Sequence, residues 1–354
     1  MSARCGRLRP SAVVESIYGV GVAPEEAQVV LIPVPWEATT SYGRGTAGGP
    51  AAIAAASVQV DLFDLELAAI GVPEPYRHGL ALLPIEPEVA ARGAEAAERA
   101  LRVIEAYDES RPGQYEPAIL AELARVNELS AWLDGWLEAE VKRWLDAGKR
   151  VGIVGGDHSV PLGSIRAHAA RYPGMGVLHF DAHADLRVAY QGFVGSHASI
   201  MHRVVETVPR VSKLVSAGVR DFSKEEFDAV VTSGGRIEAF WDLTIQRELQ
   251  AGTSFAAVAS RIARALPREV YVSFDIDGLE PTLCPHTGTP VPGGLSFAQA
   301  VAVLAAVVAS GRRIVGFDLV EVAPGPDGDE WDANVGARLL HKLLGYTLAG
   351  GTSA

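Results

Sequence analysis

Cysteine is almost missing from this chain: Cys5 and Cys284 are the only two among 354 residues. Two thiols so far apart form neither a disulfide framework nor a thiolate metal site, and they fit a reducing cytoplasm. Basic charge is also scarce, with 31 Lys and Arg against 43 Asp and Glu and a net charge of −12. No basic stripe is present to neutralise phosphates, so a non-specific nucleic-acid binder is excluded. Long apolar runs are absent as well. The positively charged start, Met1 to Pro10, is followed by no secretory core, and Phe297 to Ala309, interrupted by Gln299, is too short to span a bilayer and reads as a buried helix. Membrane partners are not expected.

What the chain does have is 48% apolar residues, 37 Gly and 21 Pro, a balance that fills a core. Val29 to Pro35 reads as a short buried strand, and the Gly-rich Tyr42 to Pro50 leads into an Ala-rich helix. Helical spacing runs from Glu88 to Glu109 and from Pro117 to Asp146, broken at Arg111-Pro112-Gly113 and stopped by Gly148. These two helices read as a hairpin insertion over about residues 88–148, because neither alone could bury a core. Trp132, Trp136 and Trp144 form its packing stripe. From Arg150 the pattern becomes strand, Gly-rich loop, helix, with strands at Val151–Val154, Gly176–Phe180, Leu214–Gly218, Val270–Phe274 and Ile314–Leu319. Such alternation predicts an α/β fold: one three-layer domain with a mostly parallel central sheet and helices on both faces. Residues 1–28 read as an N-terminal extension, 29–348 as the domain and 349–354 as a tail.

Three segments carry the chemistry: Gly155-Gly156-Asp157-His158-Ser159, Asp181-Ala182-His183-Ala184-Asp185 and Ser273-Phe274-Asp275-Ile276-Asp277-Gly278. Each follows an apolar run, so separate strands deliver polar residues to one sheet edge, where ligands of parallel sheets collect. On an extended backbone Asp181, His183 and Asp185 would face one way. Asp275 and Asp277 would repel each other unless a cation or base neutralised them. Two imidazoles and four carboxylates suit a pair of divalent ions that ionise a water, which points to a hydrolase. A phosphate loop at Gly155-Gly156 lacks the following Lys.

At these residues the chain resembles the ureohydrolase family of arginases, agmatinases and related guanidino-compound hydrolases. The likeness runs from about residue 29 to 346 and includes Val34-Pro35-Trp36, Thr40-Ser41-Tyr42, Thr287-Gly288-Thr289-Pro290 and Asp318 to Pro324. It implies the arginase-like fold and two divalent metal ions, Mn or Ni. One ion would be held by His158, Asp181, Asp185 and Asp275, the other by His183, Asp181, Asp275 and Asp277. It also implies that Glu321 pairs with a guanidinium, as a carboxylate can through two parallel N–H bonds. His197 resembles the proton-shuttling histidine, with Asp185 orienting or relaying the proton of the attacking hydroxide; Ala198 replaces the glycine that follows in many relatives. His286, Thr287 and Trp36 are expected to border the substrate. His179 reads either as a support to the metal ligands or as a packed core histidine, whereas His78, His168, His202 and His341 read as structural or exposed.

The loop Leu186 to Gly195 lacks the Asn that arginases place before this histidine, while Tyr190 and Phe193 suggest a smaller or more apolar pocket. The reading is therefore agmatinase-like: agmatine, free guanidine or an alkyl guanidine cleaved to urea and an amine or ammonia. Asp329 to Gly336 and the long early helices lean towards guanidine hydrolases. Alternatives are a metformin, biguanide or formimino amidine hydrolase, a non-catalytic paralogous subunit, and a one-zinc deacetylase-like amidohydrolase. The resemblance further implies a homo-oligomer, trimer or hexamer.

Overall fold

The structure, a computed structural model, describes residues 16–40, 42–107, 111 and 113–350. Cys5, Ser41, Pro112, most of the expected N-terminal extension and the end of the tail lie outside them. The regular elements, in chain order, are β1 (Val29–Val34), α1 (Gly49–Ser57), α2 (Leu65–Ala68), β2 (Leu80–Leu82), α3 (Pro87–Glu105), α4 (Pro117–Asp146), β3 (Arg150–Gly155), α5 (Leu162–Arg171), β4 (Gly176–Phe180) and α6 (Ile200–Thr207). They continue as β5 (Lys213–Ala217), α7 (Lys224–Thr232), β6 (Ile237–Phe240), α8 (Asp242–Gln250), α9 (Phe255–Ala265), β7 (Glu269–Asp275), α10 (Phe297–Ala309), β8 (Arg313–Val320) and α11 (Trp331–Ala349).

The eight strands form one sheet in the order β2-β1-β3-β8-β7-β4-β5-β6. Every pairing is parallel. Side-chain alternation sends the two faces of each strand to different cores. Val29, Leu31, Leu178, Phe180, Val270, Val272 and Phe274 join α1, α9, α10 and α11 in one apolar cluster. On the other face Val30, Ile32, Val34, Val151 and Ile153 pack with α3 and α4, and Val177, Leu214 and Tyr271 with α5 and α6. Three layers result.

Two strands were not expected from the sequence, β2 and β6. Both are short edge strands, and Leu80-Ala81-Leu82 gives too brief an apolar run to signal a strand. The first hairpin helix ends at Glu105 rather than Glu109, before the break. Trp132 and Trp136 stack with centroids 6.4 Å apart, and the Arg92 guanidinium lies 4.2 Å above the Trp132 ring. Among the described residues no helix is long and apolar enough to cross a membrane.

Candidate metal centre and active site

β3, β8, β7 and β4 are neighbours in the middle of the sheet, and their carboxyl ends open onto one place. His158 follows β3, Asp181 follows β4, Asp275 ends β7 and Glu321 follows β8. Close backbone approach lets these loops meet. A Cβ on Gly156 would stand 2.0 Å from the Trp36 carbonyl oxygen, and one on Gly278 would stand 2.7 Å from the Asp181 nitrogen.

His158 is fully buried, and its Nδ1 lies 2.9 Å from Asp181 Oδ2, 3.1 Å from Asp185 Oδ2 and 3.2 Å from Asp275 Oδ2. Its Nε2 lies 2.9 Å from Ser273 Oγ, and that hydroxyl donates to Asp318 Oδ1 at 3.0 Å. Ser273 therefore accepts from Nε2–H, which leaves Nδ1 as the ring atom facing three carboxylate oxygens. Around His183, Nδ1 is 3.2 Å from Asp181 Oδ1 and 3.1 Å from Asp277 Oδ2. Asp181 thus faces both imidazoles, one through each oxygen.

The carboxylates are aimed by backbone amides. Asp275 Oδ1 accepts the Asp277 N–H at 2.8 Å, Asp277 Oδ1 accepts the Ala182 N–H at 2.9 Å, and Asp181 Oδ1 accepts the His183 N–H at 2.6 Å. The Oδ2 atoms of Asp275 and Asp277 are left for the centre. Asp185 does not continue an extended strand: its φ is +54°, a left-handed conformation that costs a non-glycine residue energy. The turn brings its carboxylate to His158 by a route that simple alternation could not have anticipated.

Burial and mutual repulsion govern the charges. Burial, then the neighbouring Asp277 and Asp181, pushes the Asp275 carboxyl well up, and burial with Asp181 raises Asp185 to about 7. Burial works against a charged His158, but Asp181, Asp185 and Asp275 together raise it well above an ordinary imidazole. Burial likewise opposes Asp181, yet His179 and His158 hold it well below the carboxylate range. His179, buried between β4 and β5, places Nε2 2.8 Å from Asp181 Oδ2 and Nδ1 3.1 Å from Ser216 Oγ. It touches a member of the cluster directly.

Glu321 has φ +62° and is buried; its Oε1 accepts the His158 N–H at 2.8 Å, while Oε2 has no partner among the described residues. Thr287 braces it, donating to the Glu321 carbonyl oxygen at 2.7 Å. Burial, followed by the charge of Asp157, raises the Glu321 carboxyl well above its usual range. Such a carboxylate gains by meeting a cation.

A cleft of about 560 Å³ opens over the centre, lined by His183, Asp185, Tyr190, His197, Asp221 and Phe222 among others. His197 Nδ1 lies 3.3 Å from Thr39 Oγ1, and the ring meets Tyr190 edge-on at 5.9 Å. Burial, then the cationic His183 and His158, lowers His197 to about 4. A larger hollow of about 650 Å³ lies beyond Arg187 and Glu226 and reaches none of the six clustered residues.

Of the residues expected to meet substrate, Trp36, His286, Thr287 and Glu321 are all absent from the cleft lining, and Trp36 and His286 in addition have partners away from the cluster. Trp36 is wholly buried with its ring against Gly93 of α3, an apolar surface that a large aromatic ring covers. His286 turns to α11, its N–H donating to Asp332 Oδ1 at 2.9 Å and its Nδ1 2.8 Å from Asp332 Oδ2. Phe193 is fully buried in the hairpin core with Ala100, Val103 and Val126. Asp318 is marked by its place in the Asp318-to-Pro324 landmark, though without a role of its own, whereas Thr39 and Glu226 are not singled out by the sequence. Each of these two reaches the site across a wide gap in sequence, so no local pattern marks it.

A family model described as the arginase family matches residues 27–345. The chain belongs to that family, and it is a ureohydrolase, an enzyme that hydrolyses C–N bonds in amidines. It is similar to the N(1)-aminopropylagmatine ureohydrolase of Thermus thermophilus, 34% identical over 331 residues that cover 93% of this chain and 94% of that protein. The agmatinase of Bacillus subtilis is 28% identical over 330 residues, covering 90% and 92%. Among solved structures, the agmatine ureohydrolase of Thermoplasma volcanium superposes with a TM-score of 0.70 at 22% identity, covering 96% of each chain.

Proposed function

We propose that the chain hydrolyses an aminoalkyl guanidine, with agmatine and its N-aminopropyl derivative as the leading substrates and free guanidine or simpler alkyl guanidines behind them. One observation carries the reading: His158 Nδ1 faces three carboxylate oxygens within 3.2 Å, and Glu321, whose Oε1 accepts the His158 N–H, has an Oε2 with no partner among the described residues. A lone pair so placed demands a proton or a cation, and this donor set fits Mn or Ni. His158, Asp181, Asp185 and Asp275 would hold one ion, and His183, Asp181, Asp275 and Asp277 the other. When bound, two such ions make a water acidic enough to attack at neutral pH.

The chain's own groups do the rest. Glu321 Oε2, the oxygen left over once Oε1 has accepted the His158 N–H, accepts an N–H bond from the guanidinium. Asp185 lines the cleft and takes the proton of the attacking water on a carboxylate oxygen. His197, held neutral by burial, receives that proton from Asp185 and gives it to the departing nitrogen, which leaves as an amine only when protonated. One C–N bond breaks, one C–O bond forms, and urea and an alkylammonium ion are the products. Asp221 gives the cleft wall a carboxylate that an ammonium tail could meet, beside the aromatic residues Tyr42 and Phe222, while the Tyr190 ring already carries the Arg187 guanidinium at 5.2 Å. The names of the similar proteins support the same choice.

The test is urea release after separate loading with manganese and nickel, across agmatine, N-aminopropylagmatine, arginine, guanidinobutyrate, guanidine and dimethylbiguanide. Agmatine-type compounds should lead, with arginine poor. Preference for guanidine or the biguanide would replace the substrate, and silence on all six would leave a formimino amidine or a non-catalytic subunit. The same proposal includes a homo-oligomer, trimer or hexamer, measured by light scattering, and a cytoplasmic location.

A further inference from the structure

Glu226 lies on α7, outside the motifs that carry the chemistry, yet it is 3% exposed and has both oxygens in use. Its Oε2 accepts the Ser223 N–H at 2.8 Å, and the Ser223 hydroxyl in turn accepts the Glu226 N–H at 3.3 Å, which closes a capping box at the start of the helix. Its Oε1 does something a cap does not require. It accepts the Leu186 N–H at 3.0 Å.

Leu186 N–H belongs to the peptide unit that follows Asp185. The carbonyl of that same unit accepts the Met201 and His202 N–H groups, each at 3.0 Å, from the first turn of α6. Both ends of one peptide plane are therefore pinned, and it is the plane that sets ψ of Asp185, the residue held at φ +54°. With the plane fixed, the Asp185 carboxylate is carried to 3.1 Å from His158 Nδ1. Without the Glu226 acceptor, a buried N–H loses its partner and the plane can turn to find another. A left-handed aspartate persists only while its surroundings over-determine it.

We infer that Glu226 is a positioning residue for the metal centre: it holds the Asp185–Leu186 peptide in the orientation that presents the Asp185 carboxylate to the ion it shares with His158. The inference rests on the proposal that Asp185 is a metal ligand. Glu226 borders the cleft and lies 3.7 Å from the Arg187 guanidinium, but its positioning role runs through the Leu186 N–H and not through contact with an ion. One side chain thereby joins the cap of α7 to the geometry of the cleft floor.

Three variants of the full-length protein separate this role from capping. Ser223→Ala weakens the cap but leaves the Leu186 bond, Glu226→Ala removes both, and Glu226→Gln keeps one carbonyl oxygen for the Leu186 N–H. Ion-free protein is titrated with Mn2+, bound ions are counted, and the spin-coupled signal of the ion pair is followed by electron paramagnetic resonance. Glu226→Ala should bind its weaker ion at least about tenfold less tightly and lose the coupled signal at limiting Mn2+, the scale seen when a support to a metal ligand is removed. Glu226→Gln should restore most of that affinity. Ser223→Ala should melt at a lower temperature with Mn2+ affinity and turnover unchanged.

If Glu226→Ala binds two ions as tightly as the parent, or Ser223→Ala loses affinity equally, Glu226 is only a cap and the inference falls. A parent protein that binds no ion pair would overturn the metal-ligand reading itself, a result recognisable before any variant is made.

Discussion

On the α3–α4 hairpin, Glu95 sits 2.9 Å from Arg99 and 3.0 Å from Arg125, and Glu122 sits 2.8 Å from Arg99 and 3.2 Å from Arg102. At the mouths of the central strands, Asp181, Asp185, Asp275 and Asp277 are all buried, and among the described residues their carboxylate oxygens form ion pairs with imidazoles and with no Lys or Arg. The first arrangement is paired, wet and screened, and each pair contributes little. The second confines like charges where water cannot relieve them, a cost that a fold bears only where the charge has a use. Surface carboxylates here support a helix hairpin. Those at the strand ends hold like charges together in a buried cluster with the imidazoles of His158 and His183.

Replacing a buried carboxylate should break the symmetry of that contrast most strongly. Asp275→Asn should lower urea release by more than about a hundredfold, beyond what loss of a mere support to a ligand costs, and should reduce the count of bound ions. The same variant, stripped of ions by a chelator, should melt no lower than the stripped parent, since the raised Asp275 carboxyl shows its charge to be unwelcome in the ion-free fold. A melt several degrees lower would mean that the charge stabilises the fold on its own.

His168 tests whether a buried titratable group away from the centre follows the ordinary rule. Its ring fills the space that Gly316 of β8 leaves, its Nδ1 is 2.8 Å from the Ser164 carbonyl oxygen, and burial holds it neutral with a pKa lowered to about 4. The unfolded chain takes up a proton near pH 6.5 and the folded one only near 4. Stability from this residue is therefore complete above pH 6.5 and is lost as pH falls towards 4, by about 3 kcal/mol. Urea unfolding at a series of pH values should show this slope in the parent and a shallower one in His168→Gln; identical slopes would refute it.

Glu122→Ala should have the smallest effect. It breaks two hairpin ion pairs, yet the melting temperature should move only slightly, and the difference from the parent should disappear in 1 M NaCl, where screening acts over about 3 Å. A large shift that survives salt would make the hairpin resemble the strand ends after all.

Legibility followed the range of the interactions. Helix α10 runs from Phe297 to Ala309, as its apolar sequence indicates, because a Ser296 and Gln299 capping box starts it. The central strands announce themselves as apolar runs buried on both faces, and the polar residues just past them read as a converging set. Edge strands β2 and β6 carry no such run. Asp185 was legible as a member of the cluster, but its left-handed turn was not, since the peptide plane is fixed from α6 and α7 rather than by its neighbours in sequence. Trp36 and His286 show the converse. A motif tells which residues stand near a cleft, while packing against α3 and pairing with Asp332 decide where their rings point.

The place of β8 between β3 and β7 gives the molecule a keystone. Strands β1 to β3 form one block and β4 to β7 another, and among the described residues the one strand hydrogen-bonded to both is β8, the last in chain order. His158 belongs to the first block, whereas Asp181, His183, Asp185, Asp275 and Asp277 belong to the second. The six clustered residues therefore share one continuous sheet edge only through β8, so the strand that carries Glu321 at its end also joins the two groups.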